Sequence, residues 1–524
     1  MKILLEFSDL GYKVFHNFAI KLKEKIPSSE FYFEESAPFV NKFLLNQNDI
    51  KYNFYSRKEF KPNKNLINYK ILKEFENRLN HKSLWRVIST DRTLGSAFLH
   101  GAHGYNNEFT SNKNLILKYF AHQLDHIDQM FKKIKPDIFF AAPVMGSIQT
   151  IIFDEICKKY GTEYVVLNGT RIPDICSFSP SYKLNFPLIE NYSKRIIDQN
   201  LNNFSNKTLE CFEKLQKNIH QTNSDKRNSK LKKIYLETFY QRFFYIFIFS
   251  TFELIKCLTI GNFRILRELY EKKLNFIKFI KLLFLKPIEK ISFLVQNYYV
   301  SHPNFGKFLN TDQKYVFFPL QVQPEYSSNV LGPLWLDTIN LIENLAKNLP
   351  SDWIVYVKEH PATLTDRLRS KNFYKKIKLI PNVEFAPTHL DSFKVIQNAE
   401  IVVTTGYNSI AFDTVILKKP LLEFNTNYWS KIDLSGRCSD FDKLSENLLN
   451  ELNRYNNISS EEKDRRIKCL IESVLKHSFT LNYTKLAFYN ETGTEENQKM
   501  CGIEIAEGFI EYLNYIRFKQ KNDN

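Results

Sequence analysis

Polar clusters stand where short apolar runs end, and their residue types suit the binding of an anion. The apolar run 353–357 leads into Lys358-Glu359-His360-Pro361. The run 401–403 leads into Thr404-Thr405-Gly406-Tyr407-Asn408-Ser409, and a helical pattern follows. The run 315–319 leads into Gln321-Val322-Gln323-Pro324-Glu325. Either ring nitrogen of His360 can donate to a phosphate or carboxylate, depending on tautomer and charge. Pro361 ends strand pairing and turns the chain into a loop. Thr404, Thr405, Gly406 and Ser409 at a helix start offer backbone N–H groups and hydroxyls to an anion. The same pattern reads as an ordinary N-cap, since Ser and Asn are the usual capping residues. Gln321, Gln323 and Glu325 suit hydrogen bonding to a base or sugar edge, or stand as surface loop residues. Asp413, one turn into the helix, faces either a ligand's sugar or solvent.

The first half of the chain offers a second set. Asp91-Arg92 follows the apolar run 85–88, His100 and His103 bracket a Gly-Ala pair, and Asp9 follows the first apolar run. Asp9, Asp91 and His103 are candidates for a general base or nucleophile. Asp91-Arg92 reads equally as a structural ion pair. The sequence has no Walker-type loop, GxGxxG, zinc motif or GxSxG elbow, so dinucleotide redox, kinase and serine-hydrolase chemistry lose their support. No cofactor and no metal is expected.

Short apolar strands alternating with amphipathic helices specify a parallel sheet covered on both faces, with ligands at the carboxyl ends of its strands. A chain of 524 residues, 43% hydrophobic and 15% aromatic, is too long for one core and too apolar for disorder. We expect a Rossmann-like domain at 1–180, with strands near 2–7, 31–33, 85–88, 138–142 and 164–167. A mainly helical basic and aromatic segment is expected at 181–305. A second Rossmann-like domain follows at 306–480, then a tail and helix at 481–524. The seven cysteines are scattered without metal-ligand spacing, which points to reduced thiols in a cytoplasmic protein. Of the net charge of +16, residues 226–290 hold 15 Lys/Arg against 5 Glu, a surplus of ten. Their apolar run 243–252 is about half of a membrane-spanning length. Basic residues interleaved with Phe, Tyr, Leu and Ile suit an anionic membrane surface, or else a buried helix with solvated neighbours. Nucleic acid is not expected, because no binding module is recognisable.

Taken in order, Gln323-Pro324, Val-Lys-Glu-His-Pro at 357–361, Asn-Val-Glu-Phe at 382–385, Asp391-Ser392, Thr405-Gly406 and Lys419-Pro420 resemble the bacterial capsule polysaccharide biosynthesis family. That family includes Kdo transferases, and at these motifs it is similar to bacterial sialyltransferases. The resemblance covers 315–424 well and the first half loosely. It implies a GT-B glycosyltransferase, with two Rossmann-type domains facing a cleft. The C-terminal domain would bind a nucleotide-sugar donor, CMP-Kdo or a similar CMP-sugar. By this resemblance His360 would contact the donor phosphate, supported by Thr405 and Ser409, with Gln323 near the nucleotide. Lys358, Glu359, Glu325, Thr404, Gly406 and Asp413 complete the expected donor site; the family commonly has Glu where Asp413 stands. Asp91, or else Asp9, would be the carboxylate acting on a glycan or lipid-linked acceptor, with the enzyme held peripherally at the inner face of the cytoplasmic membrane. On the same fold, a CDP-glycerol-type glycerophosphotransferase, a nucleotide-sugar epimerase and a non-catalytic membrane-surface assembly protein stand as alternatives.

Overall fold

The chain is described by a computed structural model over residues 1–7, 11–56, 67–95, 98, 112–141, 148–218, 299–300, 305–360, 369–388, 390–481 and 494–522. Asp9, His103 and the basic segment 226–290 lie outside the described residues.

Apolar runs buried on both faces build two sheets. The first contains β1 (Lys2–Leu5), β2 (Glu30–Glu34), β3 (Tyr52–Tyr55), β4 (Ile138–Ala141), β5 (Glu163–Gly169) and β6 (Ile175–Ser179). The second contains β7 (Tyr315–Pro319), β8 (Ile354–Lys358), β9 (Val383–Phe385), β10 (Ile401–Thr404), β11 (Leu421–Glu423) and β12 (Gly436–Arg437). A last strand, β13 (Phe479–Thr480), pairs antiparallel with β6.

The second sheet is parallel throughout, in the order β9-β8-β7-β10-β11-β12. That is the doubly wound order 3-2-1-4-5-6, and its direction reverses between β7 and β10. The first sheet runs β3-β2-β1-β4-β5-β6-β13, with the same order over its five parallel strands and a reversal between β1 and β4. The protein is therefore a two-domain Rossmann-like α/β fold of the GT-B kind, as the sequence predicts.

In the second sheet Phe317 is in register with Tyr356 and Val402. These three pack with Ile396, Phe412 and Val415, so the helices Ser392–Asn398 and Ser409–Ile416 cover that face. Phe318, Val355, Val357 and Val403 lie in the core on the other face, with Leu341, Ile342, Phe373 and Leu448. Among the described residues no helix is long and apolar enough to cross a membrane.

One expectation is corrected. The run at 85–88 is a short helix, Leu84–Ile88, not a strand; Ser83 accepts a hydrogen bond from the Arg86 amide at its start. The third strand is instead β3, whose Tyr-Asn-Phe-Tyr sequence was passed over. Residues beyond 478 belong to the first domain: β13 extends its sheet, and the helix Glu495–Asn522 places Ile505, Ala506 and Phe509 in the same core as Phe15 and Phe18. This docking needs Gly502, where an added Cβ would come within 2.5 Å of Asn17 Cβ and 2.7 Å of the Phe18 nitrogen. Gly502→Leu would improve helix propensity yet force the two helices apart. It is expected to lower stability in urea unfolding by roughly 1–3 kcal/mol, the usual penalty of overpacking; an unchanged midpoint would contradict the docking.

Candidate functional site

Ligands bind in doubly wound sheets where the strand order reverses, at the carboxyl ends. In the second sheet that point lies past Pro319 and Thr404, and the polar clusters converge there. Registered partners in parallel strands share a face, so Lys358 and Thr404, each two residues beyond Tyr356 and Val402, extend over the face covered by the helix Ser409–Ile416. Gln321 bridges the gap by donating its Nε2 to Thr404 Oγ1 at 3.2 Å. Among the described residues its own Oε1 is buried without a partner. Asn408 donates to Thr404 Oγ1 at 2.6 Å and to the Gly406 carbonyl at 2.8 Å, while its Oδ1 accepts from the Ala411 amide at 2.8 Å. The helix start is thus capped and shaped by Asn408, leaving Ser409 exposed at the rim. Gly406 lies close to the neighbouring loop: a Cβ there would stand 3.0 Å from the Ser327 carbonyl oxygen.

Lys358 is the main cation of this crevice. Its side chain is 4% exposed, and among the described residues its amine has no hydrogen-bond or ion-pair partner. Burial pulls its pKa down to about 8, against the opposing fields of Glu359 and Asp391. An anion placed beside it would restore the charged form.

Glu359 points elsewhere. It is 1% exposed and accepts two hydrogen bonds from Arg369 Nη1, at 2.6 and 2.8 Å, and one from the Tyr374 hydroxyl at 2.7 Å. Arg369 also donates to the Gln321 carbonyl, and the His360 amide donates to Glu359 Oε1 at 2.7 Å. This buried pair therefore ties the exits of β7 and β8 together and sets the direction of His360, which is half-buried at the mouth. Glu359 is a support of the site, contrary to its expected contact with the donor.

Gln323 and Glu325 are also turned inward. Gln323 donates to the Leu336 carbonyl at 3.0 Å and accepts from Thr338 Oγ1 at 3.3 Å. Glu325 caps the following turn in a reciprocal arrangement with Ser328. Thr405 is 8% exposed, and its carbonyl accepts from Asn425. Asp413 lies on the capped helix; burial pushes its pKa up to about 7, and the charge of Arg171 in the first domain opposes this.

In the first domain Asp91 is a capping residue. Its Oδ1 accepts from the amides of Thr93 and Leu94 at 2.8 and 2.9 Å, and its Oδ2 from the Ile148 amide at 3.1 Å. Three backbone donors occupy a carboxylate that was expected to act as a base. A cavity of about 170 Å³ opens at this domain's own reversal point, beside the ends of β1 and β2, with Glu6, Glu34, Glu35, Ser36 and Gln149 among its walls. Glu34 accepts from His126 Nε2 at 2.7 Å. These three glutamates were not anticipated, although two of them follow directly on a strand, the signal that singled out Asp9.

No protein-family model and no curated protein matches this chain. Among solved structures, it is similar to the KpsC β-Kdo 2,4 transferase of Thermosulfurimonas dismutans, at 9% identity over 65% of this chain and 79% of that one, with a TM-score of 0.33. It is similar to the UDP-GlcNAc 2-epimerase of Neisseria meningitidis bound to UDP-GlcNAc, at 10% identity over 91% and 100%, with a TM-score of 0.25. The calicheamicin glycosyltransferase CalG4 matches at 9% identity over 91% and 94%, with a TM-score of 0.23. These likenesses are too distant to assign a donor, an acceptor or a residue's role. The fold rests on the two sheet orders described above.

The buried pair carries a direct test. Glu359→Ala leaves the Arg369 charge buried and uncompensated and is expected to cost roughly 3–5 kcal/mol of stability, whereas replacing both residues by Met should cost much less. Equal losses in the single and double variants would contradict the pairing.

Proposed function

We propose that this protein is a glycosyltransferase that moves a sugar from a nucleotide donor, CMP-Kdo or a similar CMP-sugar, to a glycan or lipid-linked acceptor of a bacterial surface polysaccharide. The reading is supported by Lys358, which is buried and, among the described residues, has no hydrogen-bond or ion-pair partner, at the end of β8 on the sheet face that the helix Ser409–Ile416 covers. A cation and a helix N-terminus facing one crevice suit a phosphate. The order of motifs through His360-Pro361 and Thr405-Gly406 favours a CMP-sugar as its bearer.

In this reading the donor phosphate lies between Lys358, His360 and the amides at Ser409. The unpaired Oε1 of Gln321 accepts from a hydroxyl or amino group of the nucleotide. The acceptor hydroxyl adds to the anomeric carbon and gives its proton to a carboxylate of the first domain. The bond from that carbon to the phosphate oxygen breaks, and the nucleotide leaves as an anion. Lys358 and the helix start stabilise the charge that develops on the departing oxygen, a role for fixed donors in a site shielded from water. With Asp91 committed to backbone amides, the proton acceptor is sought among Glu6, Glu34 and Glu35, whose cavity holds the equivalent position in the first sheet. Asp9 and His103 stay candidates of the same kind. The surplus of ten positive charges at 226–290 favours attachment to an anionic leaflet, where a lipid-linked acceptor would be met.

Binding of CMP tests this through its protons. In the free protein Lys358 is largely neutral above its pKa of about 8. A phosphate favours the ammonium form, so binding should take up about three-quarters of a proton at about pH 8.5 and almost none through this lysine at about pH 6.5. Calorimetry in buffers of different ionisation enthalpy reads the number directly, and Lys358→Met should abolish the uptake at the higher pH and weaken binding. Selective binding of UDP or GDP would replace the donor, and no binding of any nucleotide would remove the transferase reading.

A further inference from the structure

We propose that the loop following β5 is a clasp by which the first domain holds the phosphate-binding turn in shape, with Arg171 and Tyr407 as its positioning residues. The role assigned to that turn rests on the reading above; the clasp itself rests on contacts between the domains.

Successive residues of the loop reach across. The Gly169 carbonyl accepts from the Tyr407 hydroxyl at 2.6 Å, and the Thr170 carbonyl accepts from the Tyr428 hydroxyl. Arg171 Nη2 donates to the Tyr407 carbonyl at 2.7 Å, and its guanidinium lies 4.2 Å from the centre of the Tyr407 ring. Tyr407 is thereby gripped at both ends and over its face. Arg171 has a φ of 74°, a left-handed conformation that a β-carbon disfavours, and it aims the guanidinium at the other domain. The far side of the Tyr407 ring is braced as well. It stacks on Trp429 at 5.5 Å and 18°, and Trp429 Nε1 donates to the buried Glu423 at 2.9 Å at the end of β11.

The place of Tyr407 in the turn gives the grip its consequence. The flanking residues are tied within their own domain, since Asn408 bonds the Gly406 carbonyl and Thr404. Tyr407 instead reaches the first domain, bonding to the Gly169 carbonyl and to Arg171. Displacing it must rotate the peptides on either side, including the one that carries the Asn408 cap and leads to the Ser409 amide. The Arg171 charge also acts on Asp413 of the same helix, opposing the effect of its burial. Ligand affinity in the second domain then depends on how the first is seated, and by linkage the bound ligand seats the first domain more firmly.

Amide hydrogen exchange of the whole, ligand-free protein separates the clasp from the donor reading. Tyr407→Phe deletes one hydrogen bond and keeps the ring, so the amides of 406–411 should exchange between about three- and tenfold faster, the factor one such bond supplies. Amides of β8 and β10 should stay at their wild-type rates, which also confirms that the variant is folded. Arg171→Ala should act in the same direction, and Arg171→Lys, which retains a donor and a cation, should recover part of the protection. The dissociation constant for CMP should rise by a similar factor in Tyr407→Phe. Unchanged exchange at 406–411 in both Tyr407→Phe and Arg171→Ala would overturn the clasp, as would faster exchange with unaltered CMP affinity. If the wild-type protein takes up no nucleotide, the donor reading fails, and the exchange rates alone decide the clasp.

Discussion

A carboxylate held at 1% exposure must be neutralised, and the Glu359–Arg369 pair does this at the point where two strands leave the second sheet. Glu359 follows directly on β8, and Arg369 reaches the backbone just beyond β7 through the Gln321 carbonyl. The two exits are therefore locked to each other. Lys358 and His360 flank Glu359, and the His360 amide donates to it. The surrounding bonds, from Tyr374 to Glu359 and from Gln321 to Thr404, extend the same lock across the strand-order reversal.

A second constraint acts between domains. The chain does not finish in the domain it last built: β13 and the helix Glu495–Asn522 return to the first sheet, and Phe509 packs among Phe18, Phe140 and Phe178. The linking helix Ser460–Lys476 contributes Ile467, Leu470, Ile471 and Val474 to a core that also holds Ile189 of the first half. The domains are thus coupled by covalent path and by apolar packing as well as by the Arg171–Tyr407 contacts. A site at their junction inherits its geometry from both.

The second domain was largely legible in the sequence because its signals are local. Apolar runs of three to five residues ending in Lys-Glu-His-Pro or Thr-Thr-Gly mark strand, exit and helix start without reference to the rest of the chain. The direction of each side chain was not legible. Glu359, Gln323 and Glu325 have the composition of ligand contacts, yet their partners are Arg369, Thr338 and Ser328, and nothing near them in sequence identifies Arg369 as the one that matters. Asp91 misled for a related reason. An Asp at a strand's end and an Asp that caps a turn look alike until the run before it proves to be the helix Leu84–Ile88. The clasp was invisible in principle, since Arg171 and Tyr407 are joined only by the packing of two domains.

In the proposed function a phosphate binds between Lys358 and the start of the helix Ser409–Ile416. The most direct measurement is a crystal structure of the protein with CMP. Phosphate oxygens are expected within hydrogen-bond distance of Lys358 Nζ and the Ser409 amide, with the nucleoside extending past Gln321. A nucleotide seated on the first sheet, or one whose phosphate leaves Lys358 unpaired, would contradict it.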